Sequence, residues 1–275
     1  MRLYFHTIAL EPARWSPQRT SHSLVALLPD IAAAGFKRLE IFEPHLTSDK
    51  VSEEIRGALQ ALGLSADILS SYLSLNPTQM TMEQVEAGIE TIRARVDYYG
   101  FKKIRIFPGS GMNPADKPAI AEFLKRLERV VAGLPEIEIL LETHDGSLAD
   151  DPEVVTGIVR DLNAPNVGLL YQSTFFETDA ALRQFEIQRP YIRHLHLQNR
   201  DSEKRFATLR DGIVPWRKIV SQLDASVGAT LEFVPVGICG PEQFDVAATL
   251  LQAQSEAAYF DELAVQRAAG AAVTG

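Results

Sequence analysis

GFKKIRIFPGSGMNPADKPAIAEFLKRLERVVAGLPEIEILLE, residues 100–142, spans one full structural repeat, and its reading decides the fold. KIRIF at 103–107 is short and rich in β-branched and aromatic residues, the composition of a strand. Asp116 then precedes a segment with Pro118 near its first turn, residue types that start a helix. Gly133 falls at the end of that segment and is expected to cap it, since a left-handed C-cap position favours a residue without a Cβ. IEILLE at 137–142 reads as the next strand. The repeat is strand, helix, strand.

The same pattern extends in both directions. RLYFH at 2–6, RLEIF at 38–42, SADILSS at 65–71, NVGLLY at 166–171, IRHLHL at 192–197 and ATLEFV at 229–234 bring the strand candidates to eight. Apolar residues recur at helical steps between them, as in Leu24, Leu27, Leu28 and Ile31, and in Val85, Ile89, Ile92, Val96 and Tyr99. Thr81 and Gln84 have capping-box spacing, and Gly35, Gly63 and Gly100 each follow a helical stretch. Strands that alternate with helices imply right-handed βαβ crossovers and a parallel sheet, and eight repeats in about 250 residues is the size of a closed (β/α)8 TIM barrel. The expectation is an α/β chain forming a single domain over 1–275, with a C-terminal helical tail from about 257. An open doubly wound sheet is the weaker alternative, because no GxGxxG or GxxxxGK[ST] follows any strand.

Composition narrows the function classes. A hydrophobic fraction of 46% with 23% charged residues describes a well-buried globular chain. No window approaches the roughly 18 apolar residues of a membrane span, and the start, MRLYFHTIALEP, lacks the pattern of a signal peptide, so a cytoplasmic protein is expected. The lone Cys239 excludes an intramolecular disulfide and a thiolate metal cluster. A net charge of −9 without a basic run argues against a nucleic-acid partner.

A TIM barrel places its active site at the C-terminal strand ends, so the polar residues that close each apolar run are the candidates. They are His6; Glu40, Glu43 and His45; Ser71 and Tyr72; Glu142, His144 and Asp145; Gln172; His194 and His196; and Glu232. Glu142 and Glu232 each follow leucine at or near a strand end, where a buried carboxylate needs a cation or donors. Glu142, His196, Glu232 and the amide oxygen of Gln172 would form an oxygen-rich site with one imidazole, suited to Mn2+ first, or to Mg2+ or Co2+. The alternative is that the two carboxylates pair with Arg105, Arg193 or Lys103 and bind no metal.

GFKRLEIF at 35–42, ILLETHDG at 139–146, NVGLLYQ at 166–172, IRHLHLQNRD at 192–201, LRDGIVPWRKIV at 209–220 and GATLEFV at 228–234 resemble, in order and spacing, the strand motifs of the xylose-isomerase-like TIM barrels. That group includes ketose epimerases, inosose and hydroxypyruvate isomerases, dehydratases and type IV apurinic endonucleases. The resemblance implies metal ligation by Glu142, Gln172, His196 and Glu232, with Gln172 standing where the family has Asp. It implies a metal-dependent isomerase or epimerase of a keto-sugar or polyhydroxy compound, in which Glu142 and Glu232 exchange a proton through an enediolate. A lyase or dehydratase of a similar substrate is the alternative, and a metal-free binding or partner subunit the third reading. His6, Tyr72, His144 and Arg205 are the expected substrate contacts. Dimers and tetramers are common in the group, so a homo-oligomer is a further expectation.

Overall fold

The strand composition read from 100–142 is realised around the whole chain. The computed structural model describes residues 1–47 and 49–273. Eight strands, β1 (Arg2–His6), β2 (Arg38–Phe42), β3 (Ser65–Ser70), β4 (Lys103–Ile106), β5 (Glu138–Glu142), β6 (Val167–Tyr171), β7 (Ile192–Leu197) and β10 (Gly228–Leu231), form a closed parallel barrel in the order β1-β10-β7-β6-β5-β4-β3-β2. Two further strands, β8 (Asn199–Arg200) and β9 (Phe206–Ala207), pair antiparallel in a hairpin outside the barrel. Among the described residues eight α-helices follow the barrel strands in turn: α1 (Leu24–Ala33), α2 (Asp49–Leu62), α3 (Met82–Tyr99), α4 (Lys117–Gly133), α5 (Pro152–Leu162), α6 (Thr178–Gln188), α7 (Trp216–Ser221) and α8 (Val246–Val273). Among the described residues no helix is long and apolar enough to cross a membrane.

Contacts divide the chain into two compact units. The first comprises Met1–Ala66, Phe175–Leu182 and His196–Gly275. In it β1 pairs with β2, setting Phe5 opposite Leu39 and His6 opposite Glu40, and with β10, setting Phe5 opposite Leu231. Phe5, Leu28, Ile31, Leu39, Trp216 and Phe260 are buried there, and the Phe5 and Phe36 rings stack at 4.6 Å. Helix α8 already begins at Val246, so the helical tail expected from about 257 is the second half of a longer helix. Phe260 and Leu263 are buried and hold it down.

The second unit comprises Asp67–Thr174 and Arg183–Leu195. Its strands pair in register, with Ile106 opposite Leu141 and Glu142 opposite Leu170. Thr81 and Gln84 form the expected capping box at the start of α3, Asp116 accepts the Ala119 N–H at the start of α4, and Gly100 ends α3 at φ 78°. Gly133 corrects the sequence reading. It is the last residue of α4, with Leu134 as the cap, and it does not adopt positive φ. Its lack of a side chain serves packing, because a Cβ there would stand 2.5 Å from Cγ2 of Ile89 on α3.

Candidate active site

Strand ends in the first unit assemble a buried cluster of two histidines and two glutamates. His6 ends β1, Glu40 sits at the centre of β2, His196 lies near the end of β7, and Glu232 follows β10 with its N–H on the Leu197 carbonyl. His6, Glu40 and His196 are fully buried and Glu232 nearly so. Glu40 lies between the two rings: Oε1 is 3.4 Å from Nε2 of His6, and Oε2 is 3.1 Å from Nε2 of His196. The other ring nitrogen of His196, Nδ1, faces Oε2 of Glu232 at 3.4 Å. Gln198 donates its side-chain amide N–H to the same Glu232 oxygen at 2.9 Å, and its backbone carbonyl accepts the Trp216 indole N–H. The Ile8 backbone N–H donates to Nδ1 of His6.

Ligand atoms of His6, His196 and Glu232 lie within 4.8 Å of one another, close enough to share one ion. Two buried carboxylates face two imidazoles, a concentration of titratable side chains that is costly in a low-dielectric interior unless it is compensated. Mixed imidazole and carboxylate donors suit a divalent ion, and Glu40 on Nε2 of His196 would fix the orientation of that ring.

A second network braces the loops after β1 and β2. Thr7 accepts the Phe42 N–H and faces Nδ1 of His45, whose Nε2 lies 2.8 Å from Oε1 of Glu11. Ser21 donates to Glu11 through its backbone N–H at 2.7 Å and through its hydroxyl. Burial pushes the Glu11 carboxyl up, but the hydrogen bonds from His45 and Ser21 outweigh it and hold the group below its ordinary value.

The second unit carries its own buried charge pair. Glu142 Oε2 lies 2.9 Å from Nε of Arg105, both side chains almost fully buried. Arg105 also donates to the Ser71 carbonyl and the Ser70 hydroxyl, and its guanidinium stacks over the Phe107 and Tyr72 rings at 4.3 and 5.1 Å. Phe107 in turn meets the edge of His144 at 5.1 Å, so Tyr72, Phe107 and His144 form one aromatic surface. Gln172 follows β6 with its backbone pinned on both sides: Thr143 accepts its N–H and donates to its carbonyl. Lys103 and Arg193, the other cations weighed for Glu142, face Glu138 instead.

Of the expected metal set, then, the first unit brings His196 and Glu232 together, while the second holds Glu142 on Arg105 and Gln172 beyond β6. Arg205 lies in the hairpin turn between β8 and β9, ion-paired to Asp201 at 2.8 Å and Glu203 at 3.0 Å. The sequence placed Glu40 among the strand-end candidates but outside the expected metal set, and it passed over Glu11 and Gln198. The signal for Glu40 was present in RLEIF, a charge flanked by leucine and isoleucine.

A closed parallel barrel of eight strands with helices between them defines a TIM barrel, here with buried His and Glu side chains gathered on its strands. The family model described as xylose isomerase-like TIM barrel matches residues 28–254, and the chain belongs to that family. Comparison with the curated proteins finds no match. Among solved structures, the probable 3-DHS dehydratase AsbF from Bacillus anthracis, described as involved in petrobactin synthesis, is similar at TM-score 0.71 and 17% identity, covering 91% of this chain and 98% of that one. An L-ribulose 3-epimerase is similar at TM-score 0.71 and 14% identity, covering 100% and 98%. An IOLI protein with a bound zinc atom is similar at TM-score 0.70 and 15% identity, covering 97% and 99%. At such identities these likenesses establish the fold.

Proposed function

We propose that the chain is an isomerase or epimerase of a keto-sugar or related polyhydroxy compound, working by proton transfer assisted by a divalent cation, Mn2+ first among the candidates. The observation that carries this reading is the His6–Glu40–His196–Glu232 cluster, four buried titratable side chains in contact, three of them at or just past strand ends. His196 and Glu232 are the proposed ligands, joined by His6; Glu142 and Gln172, which the family pattern also implies, belong to the other unit. When bound, the cation would polarise a substrate carbonyl and favour loss of the neighbouring carbon-bound proton.

The chain's own residues have defined tasks. Gln198 fixes one oxygen of Glu232, leaving the carboxylate oriented to take or return a proton. Glu40, between His6 and His196, holds both rings in place. Glu142, ion-paired with Arg105, is the second proposed proton carrier. Tyr72, Phe107 and His144 offer an apolar surface for the carbon face of a sugar.

One observation favours the lyase alternative. Arg105 already supplies Glu142 with a cation, and Gln172 brings no charge, so the family's anionic metal set is reduced at two positions. Candidate ketoses incubated with the protein in D2O, with Mn2+, Mg2+ or Co2+ restored, separate the readings by NMR. Deuterium at the α-carbon with an isomeric product is expected, with turnover lost by orders of magnitude in Glu232→Gln. A dehydrated product selects the lyase, and an absence of exchange across the panel overturns the proposal.

A further inference from the structure

Arg14 is a buried cation that the proton-transfer chemistry leaves unused. It lies in the loop after β1, is 5% exposed, and touches two backbone carbonyls: Nη1 donates to Glu11 O and Nη2 to Gly237 O. Among the described residues no carboxylate lies within ion-pair distance of it. Glu11, the nearest acid in sequence, is already held by His45 and Ser21. The Nε–H is buried without an acceptor. Burial pulls the guanidinium down to about 10, against the opposing pull of Glu232 and Glu11.

The guanidinium also packs against two aromatic rings that touch each other. Its carbon lies 4.3 Å from the Trp15 ring centre and 5.2 Å from that of Phe233, the residue next to Glu232. Trp15 itself is 65% exposed, an unusual place for a large indole unless something covers it. A buried cation resting against two adjacent rings, tied through Gly237 to the segment that carries Glu232, and left with an unsatisfied donor is built to receive an anion.

We propose that Arg14 binds a carboxylate group of the substrate, which makes the substrate a sugar acid or keto acid rather than a neutral sugar. The inference rests on the proton-transfer reading for its meaning, but its test needs no turnover. The Nε–H edge of a guanidinium presents parallel donors to the two oxygens of a carboxylate, and a neutral hydroxyl cannot satisfy the charge.

The test follows the side-chain Nε–H resonance of Arg14 in 15N-labelled protein, assigned by its loss in Arg14→Lys, during separate titrations with gluconate, pyruvate, sorbitol and inorganic phosphate. Gluconate or pyruvate should shift that resonance while sorbitol, with gluconate's carbon chain but no charge, should not. Arg14→Lys should weaken carboxylate binding by roughly ten- to a hundredfold. No shift with either carboxylate, an equal shift with sorbitol, or tighter binding of phosphate would each overturn the proposal. Should Arg14→Lys fail to fold, the wild-type titrations decide alone, with the resonance assigned through its neighbours. Carboxylate binding without α-deuteration would leave Arg14's role standing and remove the isomerase, and the reverse result would do the opposite.

Discussion

Oε2 of Glu40 lies 3.1 Å from Nε2 of His196, and neither side chain is exposed to solvent. The same carboxylate reaches His6 through its other oxygen, so one strand residue sets the orientation of two rings. Glu40→Gln keeps the shape and removes the charge. It should cost about 1–3 kcal/mol of stability by urea unfolding, and its combination with His196→Gln should show a coupling of about 0.5–3 kcal/mol. Strict additivity of the two changes would separate them.

Arg105 and Glu142 should behave as a unit. Removing the guanidinium alone, in Arg105→Met, strands a buried carboxylate and should cost about 3–5 kcal/mol. Adding Glu142→Gln should return most of that loss, since no charge then remains to be compensated. A double variant as unstable as the sum of its parts would show that the packing of Arg105 against Phe107 and Tyr72 matters more than the charge.

Acid stability should trace in part to Glu11. Its folded pKa lies below the ordinary 4.5, so the stability it contributes is fully present above about pH 4.5 and is lost as the pH falls through the folded value. Thermal unfolding followed from neutral pH downward should therefore show a shallower acid limb in Glu11→Gln than in the wild type. Identical slopes would mean that the His45 and Ser21 bonds do not favour the charged form.

Gly133→Ala tests the close approach of α4 to α3. The added methyl meets Ile89 and should cost about 1–3 kcal/mol, even though alanine is the better helix former. In an Ile89→Ala background the penalty should largely vanish. An equal cost in both backgrounds would point to the backbone instead.

The barrel was legible because its strands are short apolar runs and its helices carry start signals that act locally, as Thr81 and Asp116 do. The β8–β9 hairpin was not, since strands of two residues have no periodicity to read. Gly133 misled for a related reason. A glycine at a helix end reads as a cap, and only the position of Ile89 shows that it makes room. In the site, His196 and Glu232 were visible as polar residues closing apolar strands. Glu40 and Arg105 carry the same signal within RLEIF and KIRIF, but which partner each faces depends on neighbouring strands. Arg14 sits in an irregular loop, where nothing in the local sequence foretells its burial.

The central claim is that His196 and Glu232 hold a divalent cation, and the most direct measurement is equilibrium binding of Mn2+ to chelator-stripped protein, read by electron paramagnetic resonance of the free ion. One bound ion per chain is predicted for the wild type, with binding lost in Glu232→Gln and His196→Gln and with thermal stability raised when the ion is returned. A wild type that takes up no ion, or a Glu232→Gln variant that binds as tightly, would contradict the account.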